Sequence, residues 1–175
     1  MVIWLIGLSG SGKTTIGSEI YKQWKNDENS TVLIDGDEIR EIFQLNTTAN
    51  DYSIDARRLN ALRIQRICKW LDSQNINVVC CILSLFQDIH IWNRKNFSRY
   101  YEVFLDVSLD TLVKRDSKNL YKPALMGKSS NVVGIDIEFT HPLNPDLVMQ
   151  NKFEDTRIPL VANRILGEAR EKYGI

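Results

Sequence analysis

The sequence predicts an α/β fold: a five-stranded parallel sheet with helices on both faces. Three observations predict it. Short, unbroken apolar runs recur along the chain, as in strands buried on both faces. Segments of helical periodicity separate them, and that alternation builds a parallel sheet. The 175 residues, 43% hydrophobic and 25% charged, suit one domain of ordinary globular composition, residues 1–175.

The elements follow in order. Val2 to Ile6 is apolar throughout and reads as a buried strand. A Gly/Ser loop leads into Thr14 to Trp24, where Ile16, Ile20 and Trp24 mark a helix face. Lys25 to Ser30 is a polar turn, and Thr31 to Ile34 a second strand. Asp37 to Leu45 reads as a short helix and Thr47 to Asp51 as a loop. Ser53 suits the N-cap of a long charged helix over Ile54 to Leu71. Asn77 to Leu83 is a third strand, Asp88 to Ser98 a polar helix, and Glu102 to Val107 a fourth strand. Leu109 to Arg115 is a short helix, and Asp146 to Met149 a last short strand. Lys118 to Phe139 has weak periodicity, basic residues and two glycines, which predicts a mobile segment. Phe153 to Tyr173 reads as a closing helix, interrupted near its start by Pro159.

Charge narrows the partners. Lys and Arg together number 22, as do Asp and Glu. A duplex nucleic-acid binder draws affinity from a basic excess, so nucleic acid is not an expected partner. A polybasic membrane anchor is equally unsupported, and no apolar run approaches the roughly 20 residues of a membrane span. The N-terminus has no basic region and no small-residue cleavage site, so a secretory leader is not expected. Cys68, Cys80 and Cys81 form no CxxC pair; adjacent cysteines in an apolar run read as inert core thiols. These features predict a cytoplasmic protein.

Gly7-Leu8-Ser9-Gly10-Ser11-Gly12-Lys13-Thr14 fits G-x-x-x-x-G-K-[ST] between a strand and a helix. The glycines let consecutive N–H groups face one anion, and the helix N-terminus adds partial positive charge. Gly7, Ser9, Gly10, Ser11, Gly12, Lys13, Thr14 and Thr15 are therefore candidate ATP-binding residues. Lys13 is placed to reach the β- and γ-phosphates, and the Thr14 hydroxyl to ligate Mg²⁺. The motif alone leaves GTPases, motors and small-molecule kinases open. The nearest approach to a guanine-reading N-K-x-D is Asn151-Lys152-Phe153-Glu154, which ends in the longer acid.

Asp35-Gly36-Asp37 closes the second strand, and ligand sites of parallel sheets lie at the carboxyl ends of strands. One of the two acids would hold a Mg²⁺-bound water and the other accept a proton from an attacking hydroxyl. Arg40, one helical turn on, is placed to clamp an anionic acceptor. By itself the segment reads equally well as a tight turn with helix caps.

These residues together resemble the adenylylsulfate (APS) kinase family. GLSGSGKTT is similar to its phosphate loop and LIDGDEIR to its L-D-G-D-x-x-R segment. Tyr52-Ser53 with Arg57 and Asn60 resembles F-S-x-x-x-R-x-x-N. ILSLFQD resembles I-S-P-Y/H-R, RDSKNLYK resembles R-D-P-K-G-L-Y-K, and Gly134-Ile135-Asp136 resembles G-I-D. The likeness runs in order from about Val2 to Met149. It implies a P-loop kinase with a basic lid over about residues 116–139, using ATP and Mg²⁺ to phosphorylate the ribose 3′-hydroxyl of adenosine 5′-phosphosulfate. Matching positions then acquire roles. Lys13, Asp37, Asp35 and Ser84 are the implied catalytic residues, with Thr14 and Asp35 at the metal and Arg115 beside the ATP base. Asp37, Arg40, Tyr52, Arg57, Asn60, Ser84, Leu85, Lys122, Val132, Gly134 and Ile135 are the implied acceptor ligands, with Lys118 and Lys122 in the lid. Periodicity alone makes Arg57 and Arg58 solvated helix charges. For Ser84, direct in-line transfer needs no phosphoserine intermediate, and a positioning or capping hydroxyl is the favoured reading. The family is often dimeric, which makes a homodimer an expectation.

Departures cluster around the acceptor base. A phenylalanine that sandwiches adenine in the family is Val132 here, a second lid lysine is Pro123, and S-P-Y-R becomes Ser84-Leu85-Phe86-Gln87. One aromatic wall opposite a branched aliphatic suits a smaller base. Two acceptors therefore stay open: adenosine 5′-phosphosulfate in sulfate assimilation, and another nucleotide with a 5′ mixed anhydride, foremost cytidine diphosphoramidate in capsule biosynthesis. A nucleotide-binding regulatory protein without turnover is the alternative of another class.

Overall fold

The computed structural model of the chain describes residues 1–44, 52–150 and 157–175. β1 (Val2–Ile6), β2 (Thr31–Asp35), β3 (Asn77–Ile82), β4 (Tyr100–Leu105) and β5 (Leu147–Met149) form one sheet in the order β2-β3-β1-β4-β5. Every pairing is parallel. β1 lies at the centre, and the five residues of VIWLI are buried, as its unbroken apolar run requires.

Side chains alternate across a strand, so β1 feeds two cores. Ile3 and Leu5 join Ile16, Ile20 and Trp24 of α1 (Lys13–Asp27) and Ala162, Ile165 and Ala169 of α7 (Ile158–Tyr173). Val2, Trp4 and Ile6 join Ala61, Ile64 and Cys68 of α3 (Ile54–Asp72) and Ile89 of α4 (Gln87–Asn96). Each large apolar side chain so buried contributes roughly 1.5–3 kcal/mol. Gly17 lets α1 approach β3 closely, since a Cβ there would collide with Cys81 Sγ.

Several boundaries differ from the sequence expectation for identifiable reasons. β4 begins at Tyr100, two residues early, because the rings of Tyr100 and Tyr101 are buried and pack as core. α2 (Gly36–Ile42) starts at Gly36, with Asp35 as its N-cap accepting from the Asp37 N–H at 2.8 Å. Pro159 sits in the first turn of α7, where a missing N–H costs nothing, so it begins the helix rather than interrupting it. The Ser53 cap is as expected, accepting from the Ala56 N–H at 3.3 Å. The predicted Thr47–Asp51 loop, the end of the short helix at Leu45, the start of the last helix at Phe153 and Asn151 to Glu154 lie outside the described residues.

The expected mobile segment is instead packed. α5 (Leu109–Arg115) leads into it, and α6 (Tyr121–Leu125) lies within it. Tyr121, Ala124, Val132, Val133 and Ile137 form a third core with Leu8, Val107 and Leu112. Two aspartates replace regular secondary structure as the source of order. Asp116 accepts from the N–H groups of Leu120, Tyr121 and Lys122, and Asp136 from those of Asn131 and Val132. Among the described residues, no helix is long and apolar enough to cross a membrane.

Candidate active site

A cleft of about 810 Å³ opens at the carboxyl ends of β1, β2 and β3. The β1–α1 loop forms one end. Leu8 to Ser11 is a β-turn closed by the Ser11 N–H on the Leu8 carbonyl at 3.2 Å. Gly10 and Gly12 have φ of +76° and +95°, values that ordinary side chains resist. Gly12 caps α1 without a side-chain hydrogen bond, and no acid occupies the first turn. The first N–H groups of α1 are thus left for an anion, with the helix dipole behind them.

Lys13 is half-buried, and its ammonium donates to the Leu8 carbonyl at 2.8 Å. Burial pushes its pKa down to about 8, against the opposing pull of nearby acidic groups. The Thr14 hydroxyl donates to Asp35 Oδ2 at 2.7 Å. Asp35 thereby divides its two oxygens, one on Thr14 and one on the α2 backbone. An alcohol and a carboxylate side by side are hard oxygen donors that fit Mg²⁺, which takes one or two protein ligands plus phosphates and water. Among the described residues no cluster of three or more His, Cys, Asp or Glu could form a closed protein metal cage. An open, phosphate-shared Mg²⁺ site is therefore the kind these residues fit.

Across the cleft, Lys118 donates to Asp37 Oδ2 at 2.6 Å. Burial works against the Asp37 charge, but this bond and the cations Lys118, Lys13 and Arg40 outweigh it and hold the carboxyl below its usual range. Arg40 is only 6% exposed, and its guanidinium lies 5.1 Å from the Tyr52 ring centroid. Arg57 donates to the Tyr52 carbonyl and to the Asn131 carbonyl, each at 2.8 Å. It therefore ties α3 to segment 116–139, which its periodicity as a solvated helix charge did not foretell. Asn60 is 3% exposed, and its Oδ1 is buried without a hydrogen-bond partner. An orphaned buried acceptor is costly and asks for a donor from a ligand.

Of the expected site residues, Ser9, Gly10, Gly12, Lys13, Thr14, Thr15, Asp35, Asp37, Arg40, Tyr52, Arg57, Asn60, Arg115 and Val132 all line this cleft. Gly7 and Ser11 stand behind the loop: a Cβ on Gly7 would press on Ser11 Oγ, and Ser11 is fully buried. Five residues lie elsewhere. Ser84 is 1% exposed, and its hydroxyl pairs with His90 Nε2 at 2.7 Å, so it serves the interior rather than the cleft. Burial lowers the pKa of His90 to about 4, so the ring is neutral and can share that proton. Leu85 packs against the third core. Lys122 is exposed and does not line the cleft. Gly134 and Ile135 line a second, shallower hollow with Leu109 and Glu138.

Leu83, Asn131 and Cys81 are among the contributors that the sequence reading missed. Leu83 and Asn131 line the cleft from loops whose course only the fold determines. Cys81, a core thiol as expected, also floors it and donates to the Lys13 carbonyl at 3.3 Å. Burial pushes its thiol pKa up, which leaves it un-ionised.

Comparison with known proteins places this geometry. The family model for adenylylsulphate kinase matches residues 1–150. The cytidine diphosphoramidate kinase of Campylobacter jejuni is 40% identical over 152 residues, covering 86% of this chain and 85% of that protein. An adenylyl-sulfate kinase of Pseudomonas aeruginosa is 34% identical over 156 residues, covering 88% and 78%. The structure of the Mycobacterium tuberculosis APS kinase in complex with AMPPNP and APS superposes with a TM-score of 0.82 at 26% identity, covering 95% of each chain.

Proposed function

Because this chain belongs to the adenylylsulphate kinase family, we propose that it transfers the γ-phosphate of ATP to the ribose 3′-hydroxyl of adenosine 5′-phosphosulfate, giving 3′-phosphoadenylylsulfate. One observation carries the reading. A single cleft holds an uncapped, glycine-turned helix N-terminus at one end and Asp37, Arg40, Arg57 and Asn60 at the other. That arrangement seats two anionic nucleotides with their reacting ends facing each other.

Each residue then has a task. The loop N–H groups and Lys13 bind the ATP phosphates and stabilise charge as the γ-phosphoryl departs. Thr14 and Asp35 would hold Mg²⁺, which when bound neutralises phosphate charge. Arg40 and Arg57 are the cations for the acceptor's anionic arm. The depressed pKa of Asp37 makes it a weak base and a good hydrogen-bond acceptor, so it orients the 3′-hydroxyl for in-line attack. Burial of Ser84 against His90 favours direct transfer without a phosphoserine intermediate. Segment 116–139 acts as the lid that excludes water. We place the enzyme in the cytoplasm, acting alone or as a homodimer.

A second acceptor is favoured by a specific observation. Val132 lines the cleft yet is only 2% exposed, so it offers a small aliphatic edge and no stacking face. Its shape, and the 40% identity to the Campylobacter enzyme, support cytidine diphosphoramidate. ADP release measured with each acceptor, with product mass locating the new phosphate, separates the two. Turnover with adenosine 5′-phosphosulfate supports the first reading, and turnover with the cytidine compound alone replaces it. ATP binding with no phosphorylated product from either would revive a regulatory role.

Val132→Phe supplies the missing stacking face. Stacking on an aromatic is worth roughly 1–3 kcal/mol per base. The variant is expected to shift the ratio of kcat/KM values toward the adenine nucleotide by about tenfold. An unchanged ratio would show that Val132 does not set base choice.

A further inference from the structure

The phosphate loop contains a peptide, Ser9–Gly10, whose direction its own sequence leaves ambiguous. In the Leu8–Ser11 turn, Gly10 occupies the third position with φ of +76°, the mark of a type II turn. Flipping the Ser9–Gly10 peptide converts type II to type I, and glycine accepts either form. The peptide is planar and trans, so its C=O and N–H point in opposite directions. Whatever holds the Ser9 carbonyl therefore aims the Gly10 N–H.

The Tyr121 hydroxyl holds it, donating to the Ser9 carbonyl at 2.8 Å. Tyr121 is itself well fixed. It is 3% exposed, its ring belongs to the third core, and its N–H is taken by the Asp116 carboxylate at 2.9 Å. Other donors reach the loop from nearer by: Lys13 takes the Leu8 carbonyl, and Cys81 takes the Lys13 carbonyl. The Tyr121 bond comes from α6, 112 residues away, in the segment whose Lys118 and Asn131 line the cleft.

We propose that Tyr121 is a positioning residue for ATP: by drawing the Ser9 carbonyl toward α6, it selects the type II turn and presents the Gly10 N–H to the phosphates. The inference rests on the loop being the ATP-phosphate site. It adds a structural link between segment 116–139 and the phosphate loop. No proton or charge moves; the hydroxyl acts by fixing a peptide plane.

Tyr121→Phe tests this, because it deletes one oxygen and leaves the ring that the core packs. A single hydrogen bond is worth about 1 kcal/mol net, so the Kd and KM for ATP are expected to rise about five- to tenfold. The lost contact serves ground and transition states alike, so kcat should stay within about twofold. The KM for the nucleotide acceptor should not move. A loss of packing alone would lower Tm and weaken both substrates together. An ATP Kd within about twofold of wild type, or parallel losses for ATP and acceptor, overturns the inference. Titration of the wild-type enzyme with ATP is the separate control: no binding there would refute the ATP-site reading itself.

Discussion

Lys13→Ala is expected to cut turnover by about 100-fold or more while circular dichroism and Tm show an intact fold. Lys13 sits where the β1–α1 loop turns into α1, and its ammonium already lies in the loop's concavity on the Leu8 carbonyl. It can exchange that carbonyl for a phosphate oxygen with little rearrangement. Preorganised charge of this kind is worth most where water is excluded. Near-normal turnover would remove Lys13 from the mechanism.

The same residue should leave a signature in the pH profile. Its free-enzyme pKa is pushed down to about 8 by burial. In the proposed role the protonated form binds phosphate, so kcat/KM for ATP should be full below that pH and fall as pH rises through it. That ratio reports ionisations of the free enzyme. A flat profile across pH 7 to about 9.5 would show that a protonated Lys13 is not what captures ATP.

Asp37→Asn should lower turnover by about 100-fold while changing the Kd for ATP less than about threefold. The substitution keeps the size of the side chain and removes its charge. It also weakens the 2.6 Å contact with Lys118. If Asp37 orients the acceptor hydroxyl, the loss appears in kcat, because the alignment matters most in the transition state. If the carboxylate merely anchors Lys118, turnover survives and ATP binding changes instead. The two outcomes separate a role in transfer from a role in holding Lys118.

The phosphate-loop end of the cleft was legible because its residues are neighbours in sequence. Gly7 to Thr15 lies within one strand–loop–helix unit, and local backbone rules place its N–H groups, Lys13 and Thr14 together. Asp35 and Asp37 were legible for a similar reason, standing where a parallel strand must end. The opposite end was harder. Arg40, Tyr52, Arg57, Asn60 and Val132 come from α2, α3 and segment 116–139, and only the resemblance to a family brought them together in advance. The same resemblance also nominated Ser84, Leu85, Lys122, Gly134 and Ile135, which the fold turns toward His90, the third core, solvent and the second hollow. Motif membership assigns a residue to a segment, whereas side-chain direction depends on what that segment packs against.

Segment 116–139 shows the limit most clearly. With only weak periodicity over Lys118 to Phe139, it read as a mobile stretch. Its order comes from Asp116 and Asp136 binding backbone N–H groups and from five buried apolar side chains spaced irregularly. By itself, the sequence determined the α/β class, the five strands, the phosphate loop and the paired acids, since each is signalled by a pattern among residues close in the chain. Tertiary structure alone decided which face Ser84 takes, that Arg57 reaches Asn131, and that Tyr121 meets Ser9. Those contacts span 74 and 112 residues in the latter two cases, and such distances are bridged only when the two cores and the third cluster have formed.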